Sequence, residues 1–113
     1  MENDQLTFEQ VCEQYEFVDW ELAKLVEKGE IVIEEDKEGE QWFKNDEILR
    51  YLRKDDYFIS LIVASRICNR TKSNLRHQVR NQKLRGKKMG KPRGIWVTTL
   101  PDLENYMEEF SRG

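Results

Sequence analysis

One pattern of residues is written twice along this chain, and the repetition sets the scale of anything it can fold into. Residues 6–54 laid over residues 59–108 align Leu6-Thr7 with Ile59-Ser60, Val11 with Ala64, Leu22 with Leu75, Val26 with Val79 and Ile31 with Leu84. After a one-residue slip, Trp42-Phe43 falls on Trp96-Val97 and Leu49 on Leu103. Few residues are identical, but the order of elements is shared, which points to a duplicated module. A length of 113 residues leaves room for one ordinary domain or two very small ones. Twelve aromatic residues, three of them Trp, fill compact cores with few side chains. The expected architecture is α+β: two small modules, residues 1–54 and 55–113, joined by the polar Lys54-Asp55-Asp56.

In the first half Thr7-Phe8-Glu9-Gln10 reads as a capping box opening a helix of about eight residues. Tyr15 to Val18 make a turn, and Asp19 caps a second helix with Trp20, Leu22, Ala23 and Val26 on its apolar face. Gly29 ends that helix as a left-handed cap. Ile31-Val32-Ile33 reads as a strand, Asp36-Lys37-Glu38-Gly39 as a hairpin turn and Gln41-Trp42-Phe43 as the returning strand. Asn45 caps a last helix with an inward stripe of Ile48, Leu49 and Leu52.

The second half repeats the plan. Ser60 caps a helix bearing Leu61, Val63, Ala64 and Ile67, and Asn69-Arg70 turn the chain. Thr71 caps a helix running to about Asn81, with Leu75 and Val79 inward at i, i+4 spacing. Leu84 begins a strand, Gly86, Gly90, Pro92 and Gly94 form the hairpin tip, and Ile95-Trp96-Val97 returns. Pro101 sits in the first turn of a closing helix.

Charge divides where the repeat does. Residues 1–54 hold 16 acidic and 7 basic residues, a net of −9, whereas residues 55–113 hold 6 and 12, a net of +6. Residues 66–93 carry eleven Lys or Arg and no Asp or Glu. An overall pI of about 5.3 therefore conceals a sharply cationic segment, and the usual partner of such a block is a polyanion.

Other classes of function find little support. No stretch approaches the ~20 apolar residues of a membrane span, and the acidic, polar N-terminus does not read as a signal peptide. The expectation is a soluble cytoplasmic protein with no membrane partner. Cys12 and Cys68 lack the spacing of a metal site and read as buried free thiols. There is no Gly-rich phosphate loop, nucleophile elbow or ligand cluster. His77, the single histidine, has Arg76 and Gln78 as neighbours and reads as a surface or phosphate contact. No enzymatic activity, cofactor or metal is expected.

The second half resembles the MerR-like and excisionase-type winged helix-turn-helix domains over about fifty residues. Val63-Ala64 stand where that family has paired small residues before its turn. Asn69-Arg70-Thr71-Lys72-Ser73-Asn74-Leu75-Arg76 match its polar cap and basic recognition helix. Lys83-Leu84 match the opening of its wing, Gly86 to Gly94 the tip and Ile95-Trp96-Val97 the Trp-containing strand. Pro101-Asp102-Leu103-Glu104-Asn105-Tyr106 match the closing helix. The chain departs from the family at Gln82, where Gly is common, and at Ile62, where Glu is common. The first half resembles the same family more faintly, with Glu27-Lys28-Gly29-Glu30-Ile31 in place of a basic-Gly-basic-Leu segment.

The resemblance implies two tandem winged helix-turn-helix modules, the second binding double-stranded DNA. A recognition helix lays its outward side chains over base edges, while cations near its ends hold phosphates. With Leu75 and Val79 inward, a 100° step places Ser73, Arg76, His77 and Arg80 outward. Arg76 and Arg80 suit bidentate contact to guanine, and Ser73, Asn74 and His77 suit hydrogen bonds to bases or phosphates. Arg70 and Lys72 lie near the helix start, where Thr71 leaves amides pointed at a phosphate. Arg85, Lys87, Lys88, Lys91 and Arg93 lie on the wing, for the minor groove or the backbone. RNA is compatible with the charge alone, but a helix so presented suits the B-form major groove better.

The acidic half is expected to act as an architectural or protein-interaction module, since Glu34-Glu35-Asp36-Lys37-Glu38-Gly39-Glu40 repels phosphate. Its opposite charge admits self-association, a separate protein partner, or masking of the basic half. The biological role implied is a transcription regulator or an excisionase-like recombination factor. The competing reading is a protein-interaction adaptor that keeps the fold and uses its bipolar surface.

Overall fold

The computed structural model describes residues 5–54, 56–90 and 94–112. The chain is mixed α+β and divides into two compact units, Met1–Tyr51 and Leu52–Gly113. Unit 1 runs β1 (Gln5–Leu6), α1 (Phe8–Tyr15), α2 (Asp19–Glu27), β2 (Glu34–Glu35), β3 (Gln41–Lys44) and α3 (Asn45–Leu52). Unit 2 runs β4 (Phe58–Ser60), α4 (Leu61–Cys68), α5 (Lys72–Arg80), β5 (Lys87–Met89), β6 (Ile95–Thr99) and α6 (Leu100–Arg112). Element order is the same in both. So is sheet topology: β1-β3-β2 in one and β4-β6-β5 in the other, each antiparallel.

Each sheet therefore has three strands where the sequence predicts a two-stranded hairpin. The extra strand precedes the first helix, with Leu6 opposite Phe43 and Ile59 opposite Thr98. Thr7 and Ser60 then stop the strand and start the helix, because their hydroxyls accept from the amides of Gln10 and Val63. Gln10 closes the capping box by accepting from Thr7 N at 2.9 Å.

Apolar residues aligned by the repeat close both cores. Leu6, Val11, Leu22, Ile31 and Phe43 are buried in unit 1, as are Ile59, Ala64, Leu75, Leu84 and Val97 in unit 2. Tyr15 is buried as well and donates its hydroxyl proton to Asn45 Oδ1. That hydroxyl titrates above its usual range, chiefly because burial penalises the phenolate.

Several expectations need correction. Trp20 and Ala23 do not share the apolar face with Leu22; both are exposed, Trp20 to 65%. With Leu22 inward, two helical steps set Trp20 about 200° away. Asp19 does not cap α2: Val18 occupies the N-cap without a side-chain hydrogen bond, and Asp19 is the first helical residue. Burial first, and then the neighbouring Asp19 carboxylate, push the Cys12 thiol up to about 11. Cys12 and Cys68 are free thiols, but half-buried rather than buried.

Ile31-Val32-Ile33 is not a strand, because its backbone is already engaged. Glu30 N and Ile31 N donate to Leu25 O at the end of α2. Val32 N donates to Glu47 Oε2 at 2.8 Å, and Glu30 O accepts from Arg50 Nη2 at 2.8 Å. Glu47 and Arg50 pair at 2.7 Å, so α3 braces this segment away from the ladder. Leu84 does not begin a strand either. Its amide donates to Gln78 O, and the next carbonyl, Arg85 O, accepts from Thr98 Oγ1 at 2.6 Å. Pairing starts at Lys87 opposite Val97.

Gly86 belongs to the root of the hairpin rather than its tip. A Cβ there would lie 2.7 Å from Val97 O and 3.1 Å from Val79 Cγ2. The chain passes so close to α5 and β6 that only glycine fits. Among the described residues no helix is long and apolar enough to cross a membrane. Asp55 of the expected junction and Pro92 of the expected tip lie outside the described residues.

Candidate nucleic-acid interface

Helix α5 owes its orientation to two side chains. Leu75 and Val79 are buried, and Thr71 Oγ1 accepts from Asn74 N at 3.0 Å, fixing the first turn. Lys72, Ser73, Asn74, Arg76, His77 and Arg80 are exposed, with Thr71 beside them at the helix start. One face thus gathers Ser73, Arg76, His77 and Arg80 as the 100° step requires. His77 Nε2 lies 2.9 Å from Asn81 Nδ2, which holds the imidazole along the last turn.

Arg70 differs from the other site residues predicted by sequence. It is half-buried in the turn, and its amide donates to Ser65 O at 3.1 Å. Its amide and charge also favour the Cys68 thiolate, partly offsetting the burial that raises that thiol's pKa. Arg70 therefore belongs to the turn as much as to the outward face.

The hairpin brings a second set of cations next to the first. Thr98 Oγ1 holds Arg85 O, and Gly86 packs against Val79 of α5. The hairpin root is thereby seated on the helix that carries Arg76 and Arg80. Arg85, Lys87 and Lys88 are exposed. Lys87 Nζ lies 4.4 Å from the Phe58 ring centre and Lys88 Nζ 5.7 Å from that of Trp96, both within cation–π range. Successive residues of a strand point to opposite faces, so the hairpin is cationic on both. Lys91 and Arg93 lie outside the described residues.

Among the described residues, none of Lys72, Arg76, Arg80, Lys83, Arg85, Lys87 and Lys88 forms an ion pair. Unit 2 as a whole carries a net of +8 and unit 1 a net of −11. A surface of unpaired cations on a helix and an adjoining hairpin attracts phosphate oxygens and leaves the guanidiniums of Arg76 and Arg80 available for bidentate contacts.

Unit 1 offers different chemistry at the aligned positions. Trp20, Ala23, Lys24 and Glu27 stand where unit 2 has Ser73, Arg76, His77 and Arg80, and all four are exposed. Asp36 orders the acidic turn by accepting from Glu38 N and Glu40 N, each at 2.9 Å. No group of three or more His, Cys, Asp or Glu among the described residues is placed to hold a metal ion.

Sequence reasoning missed the aromatic supports Phe58 and Trp96, and Lys83, which is exposed beside α5. Lys83 was visible among the eleven cations. Phe58 belongs to a strand too short to show a period. Compared with family models, with curated proteins and with solved structures, the chain matches none of them.

Proposed function

We propose that this chain is a double-stranded DNA-binding protein built from two tandem winged helix-turn-helix modules. In this reading α4 and α5 form the helix-turn-helix of the second module, and β5–β6 is its wing. The observation that carries it is the joining of two unpaired cationic surfaces, the outward face of α5 and the hairpin, through Gly86 and the Thr98–Arg85 hydrogen bond. Helix α5 enters the major groove, Arg76 and Arg80 read base edges, and Lys87 and Lys88 hold the backbone or minor groove. Arg70, Thr71 and Lys72 position the helix start on a phosphate. No catalysis is involved, and the setting is the cytoplasm. The role is that of a transcription regulator or an excisionase-like architectural factor.

The first module is an interaction module with no DNA of its own. Trp20 at 65% exposure and Val18 at 50% set apolar side chains at the positions where α5 starts with Ser73 and Thr71. This same observation favours the second reading, an adaptor that joins two proteins through its bipolar surface. Fluorescence anisotropy with a random-sequence duplex across a salt series tests the choice. DNA binding predicts a steep loss of affinity with salt, at ~0.9 counterion per phosphate contacted. Absence of binding even at low salt would leave the adaptor.

A further inference from the structure

We infer that Met89 and Ile95 form an apolar wedge that enters the minor groove of the bound duplex and kinks it; the inference rests on the DNA-binding reading above. The two residues face each other as the outermost pair of the β5–β6 ladder. Met89 is 40% exposed and Ile95 61%. Single exposed apolar residues are ordinary, but this pair stands where a solvated strand end favours charge or polarity. Directly opposed residues share one face of an antiparallel sheet, and Lys87, two positions from Met89, lies on that same face. Lys88 lies on the other. The wedge therefore projects beside Lys87, in a segment without a single carboxylate from Arg66 to Gly90.

That arrangement fits a narrow apolar slot walled by phosphates better than it fits a protein. Opposed Cβ atoms are ~4.5–5.5 Å apart, so with the bulk of its own atoms the pair is wider than the ~6 Å minor groove and enters only as the groove opens at a kink. Lys87, on the face of the pair, meets a phosphate of the groove wall while the apolar pair reaches the base step. Ile and Met are side chains that unstack a base step and bend the duplex toward its major groove.

The test is energy transfer between dyes at the two ends of a ~30-base-pair duplex with a central TA step, which is readily kinked, together with anisotropy on the same duplex. The intact protein should bind and shorten the end-to-end distance as expected for a kink of about 20–90°. The double variant M89T/I95T keeps residues suited to a strand and should lose most of that change. Its affinity should fall less than roughly tenfold and its salt slope should not change, because the phosphate contacts remain. I95F should retain the bend. Binding by the intact protein without bending, or equal bending by M89T/I95T, would overturn the wedge and leave the DNA-binding reading standing. Failure of the intact protein to bind at any salt would remove both.

Discussion

Two units with the same element order and the same sheet topology carry net charges of −11 and +8. The buried positions of the two are chemically alike: Leu22 and Leu75, Ile31 and Leu84, Leu6 and Ile59. The outward positions are not. Where α5 shows Arg76 and Arg80, α2 shows Ala23 and Glu27. Core composition determines which elements form and how they pack, while surface composition leaves the fold alone and selects the partner. The comparison separates the two sets of residues within a single molecule.

The sharpest way to break this division is on the outward faces. Arg76→Ala and Arg80→Ala should each cost ~1–3 kcal/mol of affinity for a selected site and relax preference at one base position. Lys24→Ala, at the position aligned with His77, should leave DNA affinity unchanged. Lys88→Ala should instead weaken selected and random duplexes alike. Binding isotherms on both duplexes measure all four variants. Equal losses from α2 and α5 would show that the units share the DNA, contrary to their charges.

Glycines test the backbone side of the comparison. Gly86→Ala drives a methyl to 2.7 Å from Val97 O and 3.1 Å from Val79 Cγ2, so unit 2 should lose ~1–3 kcal/mol by overpacking, seen as a lower denaturation midpoint. The hairpin root would also shift relative to α5, and DNA affinity should fall with stability. Gly39→Ala meets nothing within 4 Å, and the only cost is its φ of +85°, worth about 1 kcal/mol.

Aligned left-handed positions sharpen the comparison further. After α2 the chain turns at Gly29, φ +77°, and after α5 at Gln82, φ +63°. The same backbone demand is met by glycine in one unit and by a side-chain-bearing residue in the other. Gln82→Gly should stabilise unit 2 by up to ~1 kcal/mol, and Gly29→Ala should destabilise unit 1 by a similar amount. The ends of α1 and α4 show the reverse pairing. Glu16 and Asn69 have φ of 58° and 57°, and asparagine tolerates that region far better than glutamate.

Helix starts give the next smaller effect and show what a sequence carries on its face. Thr7, Ser60 and Thr71 were legible as caps because a hydroxyl three residues ahead of the amide it accepts from is a local signal. The turn at Asp36 was legible for the same reason, as was the cationic face of α5, which follows from Leu75 and Val79. Strands β1 and β4 were not, since two or three residues show no periodicity. The engagement of Val32 N and Glu30 O depends on Glu47 and Arg50, which are far away in sequence, and the exposure of Trp20 contradicts its apolar character. Val18 stands where unit 2 has Thr71 and makes no capping bond. Val18→Thr should therefore stabilise unit 1 by ~0.5–1 kcal/mol, readable as slower hydrogen exchange in α2. No gain would mean that the Val18 methyls already make up the difference.

The smallest effect concerns a carboxylate that only unit 1 possesses. Glu47 accepts from Val32 N and from Arg50, and Arg50 first, with Val32, holds its carboxyl below the ordinary range despite some burial. The aligned position in unit 2 is Pro101, which has no carboxylate. A folded-state pKa below the unfolded value of about 4.3 means that this contribution is fully present above that pH. It is lost as pH falls through the lower, folded value. The Val32 amide proton should report the loss directly, its chemical shift titrating below pH ~4.3. Glu47→Gln keeps an oxygen for Val32 but removes the titration, so the shift should become flat. Leu84 N, aligned one residue before Val32 and bonded to Gln78 O, has no such group and should not move. A Val32 shift that titrates at the ordinary carboxylate value would mean that α3 does not brace this segment in solution, and the short β2 would then need another cause.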